Sequence, residues 1–368
     1  MRSPARILAG AVRARRPAVA TAGAVLLGVL LPFWVNAFWL STLVYVLIGA
    51  LGALGLDVLT GRTGQVSLGH AAFLSIGTYT AAVIGENFAL PAVVWIPAAG
   101  AVAGIVGAVA APLAFRLRGL YLAIVTIALV YIVQDAFTVW TTVSGGPGGR
   151  SLPTPSFGPL HFAKGLQLGG LVITEDGLYY YLAFLLLGIG MWFVHNLSRS
   201  RPGRAMVSVR DRELAAAVLG VNVRRTKTMA FVISSVMAGV AGAMYGSFLG
   251  FGQPSQFDLL LSIQYVVMII VGGMGTLWGP LLGAVFVVGL PNLLQQEGGA
   301  IPFLAGGTRT TGIPVADAST VVYGVLLVVF LLLEPRGLVG LGQRMGSLVR
   351  RRRAVSPVAG ASQFTGEG

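Results

Sequence analysis

Few side chains in this 368-residue sequence could carry chemistry, and they are scattered along it. The sequence has 12 acidic residues, three histidines and no cysteine, which excludes disulfides, thiolate metal sites and cysteine nucleophiles. No His, Asp and Glu residues form a catalytic cluster, and a Gly-x-x-x-x-Gly-Lys-Ser/Thr phosphate loop is absent. We therefore predict that the chain is not an enzyme and holds no metal or cofactor. Energy for any active process must come from a partner.

The first polar segment of interest runs from Gly61 to Gly77 and contains Gln65, Ser67 and His70. Non-helical backbone at membrane depth is tolerated only beside protein or a water-filled cavity. The glycines and polar side chains therefore indicate a broken entry that lines a path or its gate. The alternative is a turn followed by a close-packed Gly/Ala helix, in which His70 only packs.

A second glycine-rich segment, Val271–Pro280, interrupts an apolar run with four glycines and a proline. Its candidate gate residues are Gly272, Gly273 and Gly275. The alternative is a simple turn between two short spans, with Trp278 as an interfacial anchor. Both interpretations place the segment at a structural joint.

The third segment is the polar stretch 198–228, in which Ala205–Leu219 has strong helical propensity and Gly220 and Asn222 are plausible terminators. Helical spacing would place a carboxylate and three small residues on one face: Glu213, Ala216, Ala217 and Gly220. A face of this kind favours close docking of another protein. Anchoring to anionic lipid is the alternative, but lipid anchoring favours bulky apolar residues.

Helices in a bilayer must position these segments, because 55% of the residues are hydrophobic, 10% are charged and the mean hydropathy is +0.83. The apolar runs are continuous rather than alternating, which favours helices over a β-barrel. We predict an all-α polytopic membrane protein with about ten transmembrane helices, within a range of eight to ten. The predicted spans lie near 18–35, 37–57, 66–85, 91–115, 119–140, 178–197, 229–250, 258–273, 278–295 and 319–334.

Charge predicts the orientation, since 19 of the 25 basic residues lie in Arg2–Arg16, Arg199–Lys227 and Arg336–Arg353. The amino and carboxyl termini and the 198–228 loop are therefore predicted to be cytoplasmic, and the 141–177 loop external. No nucleic-acid motif accompanies the basic residues. The predicted divisions are a basic amino terminus (1–17), a transmembrane domain (18–334) whose first helix is retained, and a basic, disordered, lipid-facing tail (335–368).

The predicted orientation also indicates an internal repeat, because successive spans cross the membrane in opposite directions. The span at 37–57 runs inward, the span at 229–250 runs outward, and each begins a set of four spans with a glycine-rich segment after the first. This indicates two inverted-topology repeats, with the 178–197 span between them and the 18–35 span in front.

Five stretches together resemble the branched-chain amino-acid ABC importer permeases of the LivM type: Thr63–Phe73, Arg116–Thr126, Thr142–Gly149, Arg210–Asn222 and Val271–Gly283. Within the fourth, Glu213-Leu-Ala-Ala-Ala-Val-Leu-Gly220 is similar to the Glu-Ala-Ala…Gly loop by which such permeases contact their ATPase. The resemblance implies ATPase docking by six residues: Arg210, Asp211, Glu213, Ala215, Ala216 and Gly220.

The resemblance also implies partners: a LivH-like second permease subunit, two cytoplasmic ATPases that hold ATP and Mg, and an extracytoplasmic solute-binding protein. The expected location is the bacterial cytoplasmic (inner) membrane, and the expected cargo is leucine, isoleucine or valine, carried by alternating access. Urea and short-chain amide importers use similar permeases and remain an alternative. An ion-coupled carrier is disfavoured, because Asp57 and Asp135 sit near span ends rather than at the midplane.

Overall fold

Helices dominate the computed structural model, which describes residues 28–116, 119–157, 160–168 and 171–297 and short pieces at 324–325, 327–328 and 337–340. The helices are α1 (Ala37–Leu56), α2 (His70–Ala82), α3 (Ala92–Arg116), α4 (Leu120–Val139), α5 (Glu175–Arg199), α6 (Arg201–Asp211), α7 (Glu213–Val218), α8 (Val223–Leu249), α9 (Leu259–Gly272), α10 (Gly279–Ala284) and α11 (Leu290–Glu297). Single π-helical turns extend α1 (Asp57–Gly61) and α2 (Val83–Asn87) and join α10 to α11 (Val285–Gly289).

Six helical segments within the described residues are long and apolar enough to cross a membrane, which confirms the multi-pass helical architecture. They are Ala37–Gly61, Ala92–Pro112, Tyr121–Val139, Glu175–Arg199, Val223–Leu249 and Pro254–Gly272, and Gly279–Leu293 is a shorter apolar helix. The predicted spans near 18–35 and 319–334 fall largely outside the described residues. The count of ten spans and the membrane orientation therefore stay predictions.

Side-chain caps set the start of several helices. Asn36 Oδ1 accepts a hydrogen bond from Trp39 N at the start of α1, and Asp258 Oδ1 accepts one from Leu261 N at the start of α9. Asn222, which the sequence suggested as a terminator of the preceding helix, instead caps α8 by accepting from Arg225 N. As a result α8 begins at Val223, six residues before the predicted start of its span.

The centre of the bundle is α8, which packs against α1, α2 and α3. The contacts are close because glycines face each other or face backbone: Gly77 of α2 lies against Gly239, and Gly242 lies against Leu74. In a membrane no hydrophobic effect drives helices together, so small residues that allow backbone contact stabilise the bundle. The high glycine content is therefore used at helix crossings.

Helices α1 and α8 cross in opposite directions. The ring of Tyr45, in the first half of α1, lies 4.8 Å from that of Phe248, near the end of α8. Further along α1, a Cβ on Gly55 would lie 3.1 Å from the carbonyl oxygen of Ser234, near the middle of α8. The packing is reciprocal, since α8 contacts α2 and α3 whereas α1 contacts α9 and α10. This arrangement fits the inverted repeat, which stays a prediction.

At the end of the bundle predicted to be external, the chain forms three small antiparallel pairs that the sequence analysis missed. Strand β1 (Arg150–Ser151) pairs with β6 (Phe251–Gly252), β2 (Ser156–Phe157) with β3 (Leu160–His161), and β4 (Leu166–Leu168) with β5 (Leu171–Ile173). Arg150 Nη2 lies 3.1 Å from Glu86 Oε2 and ties this loop to the end of α2.

The glycine contacts predict a stability difference between two Gly→Ala substitutions. A Cβ at Gly239 would lie 2.6 Å from the Ala99 carbonyl oxygen, whereas a Cβ at Gly188 of α5 meets nothing within 4 Å. Gly239→Ala should force α8 away from α3 and cost about 1–3 kcal/mol, lowering the thermal unfolding midpoint measured by tryptophan fluorescence. Gly188→Ala is the matched control, and equal midpoints for the two variants would contradict this account of the packing.

Candidate functional site

The first glycine-rich segment has no regular secondary structure between Thr63 and His70, which fits both the broken entry and the turn considered from sequence. Threonine hydroxyls stabilise its backbone in place of helical bonds. Thr60 Oγ1 donates to the Gln65 carbonyl at 2.9 Å, and Thr126 Oγ1 of α4 accepts from Leu68 N at 3.0 Å. The segment is thus a defined conformation held by α1 and α4.

The three predicted path residues of this segment are all buried but differ in their partners. Gln65 Nε2 donates to Thr63 Oγ1 at 3.2 Å, and Ser67 Oγ accepts from the Gly69 amide at 3.3 Å. The His70 ring lies 4.8 Å from that of Tyr265 in α9. Gln65 Oε1 and His70 Nε2 have no hydrogen-bond partner within the part of the chain described.

The second glycine-rich segment follows the end of α9. Gly273 and Gly275 have φ values of 115° and 77°, a region that side chains rarely adopt, and a Cβ on Gly272 would collide with the Gly279 carbonyl. Only glycine therefore suits these three positions. The backbone here makes a tight joint between α9 and α10, as both sequence interpretations proposed.

The two glycine-rich segments meet at Asp57, a residue to which the sequence analysis gave no role. Its carboxylate is buried, and Oδ1 accepts a hydrogen bond from Gly275 N at 2.7 Å. Arg62 Nε lies 3.8 Å from Asp57 Oδ2. The signal that could have revealed this pair is its isolation, because Asp57 and Arg62 are the only charged residues between Arg16 and Glu86.

Arg62 follows the first described span and remains a cation. Burial lowers the pKa of its guanidinium from the ordinary value, and the nearby Asp57 carboxylate raises it. Arginine stays protonated in proteins because its ordinary pKa is above about 12. The pair therefore places opposite charges inside the protein where the first span ends.

The loop helix predicted over 205–220 is two helices, because the backbone is extended at Arg212 (φ −153°, ψ 98°) between α6 and α7. On the α6 side, Arg210 Nη1 donates to the Gly61 carbonyl at 2.7 Å. On the α7 side, Lys227 Nζ of α8 donates to Glu213 Oε2 at 3.0 Å. The break lets each helix direct a charged side chain to a different part of the bundle.

The face that α7 exposes differs from the predicted one. Ala216 is 2% exposed, and Gly220 lies beyond the end of the helix in a left-handed conformation. The side chains that project outward are bulky and apolar: Leu214, Val218 and Leu219 are 75%, 87% and 82% exposed. Ala215 and Asp211 are also exposed. The predicted small-residue face is therefore wrong for Ala216, while the docking role of this segment stays a prediction.

Three of the predicted site residues, from two separate segments, line one cavity of about 190 Å³: Gln65, Arg210 and Glu213. Lys227 also lines it, so its wall carries two cations, a carboxylate and an amide. His70 and Gly272 do not line it. Within the described residues no group of three or more His, Cys, Asp or Glu side chains could hold a metal ion.

These features define a multi-pass helical membrane protein in which a loop helix pair contacts two broken segments of the bundle. The chain belongs to the family of permease components of branched-chain amino acid transport systems, whose family model matches residues 15–331. The resemblance seen in the sequence is thereby confirmed.

Individual relatives agree with the family assignment. The chain is 32% identical over 279 residues to "High-affinity branched-chain amino acid transport system permease protein LivM" of Escherichia coli strain K12 and, equally, of Salmonella typhimurium strain LT2. These alignments cover 72% of this chain and 65% of each relative, so the chain spans about two thirds of their length.

Two further relatives have other names. The chain is 24% identical to the permease protein LivH of E. coli strain K12 over 302 residues, which cover 79% of this chain and 91% of that protein. It is 31% identical to the autoinducer 2 import system permease protein LsrC of Enterobacter sp. strain 638, over 46% of this chain and 47% of that protein. No solved structure matches the chain.

The Glu213–Lys227 ion pair predicts the behaviour of a charge swap. Glu213→Lys would set a second cation beside the buried Lys227 and should cost about 2 kcal/mol, a value between those of exposed and buried pairs. The double variant Glu213→Lys with Lys227→Glu should recover most of that loss. Unfolding midpoints of the purified full chain measure both, and a double variant as unstable as the single one would contradict the pairing.

Proposed function

We propose that this chain is a membrane-spanning permease subunit of an ATP-binding-cassette importer in the bacterial inner membrane. In this proposal it pairs with a LivH-like second permease and carries leucine, isoleucine or valine by alternating access. Two cytoplasmic ATPases bind ATP and Mg and supply the energy, and an extracytoplasmic binding protein delivers the solute. The family membership supports the importer class, and the names of the LivM relatives support the cargo.

The observation that carries the coupling part of the proposal is the loop helix α7. Its charged side is attached to the bundle through Glu213 and Lys227, and its opposite side presents three bulky apolar side chains: Leu214, Val218 and Leu219. A short helix held at one face and apolar on the other suits a groove on a partner protein. We assign that groove to the ATPase.

Lipid is the competing occupant, because bulky apolar side chains suit a membrane surface as well. The two occupants are distinguished by whether the ATPase stays bound when the apolar side chains are replaced by polar ones. An ATPase that uses this patch dissociates when the patch becomes polar, whereas an ATPase that docks elsewhere stays bound.

The docking test replaces Leu214 and Val218 with serine in the full chain. We expect the ATPase subunits to be lost from the complex during affinity purification, because the apolar contact that buries both side chains is removed. Phe88→Ser, an exposed apolar residue at the other end of the bundle, is the control and should retain them. Retention of the ATPases by the double serine variant would favour lipid.

The cargo is tested in proteoliposomes that contain this chain, the second permease, the ATPases and the loaded binding protein. We expect ATP-dependent accumulation of radiolabelled leucine that isoleucine and valine compete for and urea does not. Accumulation of urea or a short-chain amide without leucine would replace the proposed cargo. Uptake through the chain alone, driven by a solute gradient in the absence of ATP, would exclude the importer class.

A further inference from the structure

We propose that Arg210 and Asp57 are positioning residues that link the loop helices to both glycine-rich segments, so that movement of α6 displaces the two segments together. This inference rests on the proposed function, since it describes how ATPase motion would reach the path. It also gives Asp57 a role that neither the motif resemblance nor the docking proposal contains. The link consists of one guanidinium, one carboxylate and the two glycine backbones between them.

Arg210 contacts both segments at once. Its Nη1 donates to the Gly61 carbonyl at 2.7 Å, and the same atom would lie 3.1 Å from a Cβ on Gly275. Its Cγ would lie 3.0 Å from a Cβ on Gly64. The arginine thus inserts between backbones that come as close as glycine allows. A planar guanidinium, whose donors sit in a rigid fork, suits a fixed attachment of α6 to these backbones.

Asp57, at the end of α1, completes the link by joining the first glycine-rich segment to the second. Its Oδ1 accepts from the Gly275 amide, across 218 positions of sequence, and Arg62 lies beside its Oδ2. Burying a carboxylate is unfavourable unless it is paired and hydrogen-bonded, so an apolar side chain would suit mere packing better. A buried acceptor that reaches a backbone amide at a glycine joint indicates that the joint is held there.

The contacts of the two loop helices with the bundle suggest how a movement of α7 would reach the glycine-rich segments. Glu213 ties α7 to Lys227 at the start of α8, the central helix of the bundle, and Arg210 ties α6 to Gly61 of the first glycine-rich segment. The extended residue Arg212 lies between the two attachments. A partner that pushes on α7 therefore turns the loop about the first attachment and moves the second.

Spin-label distances test the link directly, since the chain has no native cysteine and introduced pairs are unique. The label sites are Val207→Cys on α6 and Met274→Cys beside Gly275, both exposed. In the assembled complex we expect the 207–274 distance to stay the same with and without a non-hydrolysable ATP analogue. The distance between labels at 207 and 88 should change, which shows that motion occurs.

Arg210→Gln should release the two elements, so that the 207–274 distance changes or broadens when the analogue binds. Arg204→Gln is the matched control on the same helix, because Arg204 Nη1 donates to the Arg199 carbonyl, which lies outside both glycine-rich segments. A 207–274 distance that changes in the unsubstituted protein, or one that stays unchanged in Arg210→Gln, would overturn the link.

Transport assays give the second readout. Arg210→Gln should keep the ATPase subunits in the complex but lower ATP-driven leucine uptake at least tenfold, whereas Arg204→Gln should transport normally. Loss of the ATPases from Arg210→Gln would mean that Arg210 docks them and would overturn the linking role. An inactive unsubstituted complex would refute the proposed function instead, and an active Arg210→Gln complex would refute only the link.

The hydrogen bond between Asp57 and Gly275 is tested by two substitutions, because removing a buried acceptor can by itself prevent folding. Asp57→Asn keeps an oxygen that can accept from Gly275 N and should retain most uptake, whereas Asp57→Leu removes the acceptor and should lose it. Both variants are first checked for a single peak in size-exclusion chromatography. Equal uptake by the two folded variants would show that the hydrogen bond from Gly275 to Asp57 does not contribute to transport.

Discussion

Where a helix is interrupted, its free peptide groups need other hydrogen-bond partners, and this chain interrupts its helices at two places where such partners are found. In the first, threonine hydroxyls from the same segment and from α4 satisfy the backbone around Gln65 and Leu68. In the second, the carboxylate of Asp57 accepts the amide of Gly275 from the other half of the bundle. The close approach of the two glycine-rich segments follows from this need for partners.

The same constraint governs how the helices pack. Because lipid tails are as apolar as the side chains, contact between helices depends on fit, and glycine lets α8 touch the backbones of α2 and α3. The glycines are not equivalent, because Gly239 lies directly against the backbone of α3, whereas Gly188 faces open space. Their effect is greatest where α8 crosses α2 and α3, because there a missing side chain lets two backbones touch.

Features that are local in sequence could be predicted, and features that depend on distant partners could not. Continuous apolar runs gave the multi-pass helical class and the approximate position of the described spans, and glycine-rich polar segments located the two joints. The break at Arg212 was missed because Ala205–Leu219 has uninterrupted helical propensity, which contacts to Gly61 and Lys227 override. Asp57 was missed because its partner lies 218 positions away. Strands of two or three residues carry too short a pattern to be recognised in the sequence.

The loop helix shows why a sequence face can be assigned wrongly while its role remains plausible. Helical spacing identifies residues that share a face, but it does not say which face meets the bundle. Here the carboxylate of Glu213 turns inward because Lys227 is buried and needs a partner, and that turn carries Ala216 inward and Leu214 and Val218 outward. A six-residue helix is too short to be stable alone. Two charged contacts, Glu213 with Lys227 and Arg210 of the preceding helix with the Gly61 carbonyl, therefore hold it in place and leave its apolar side exposed.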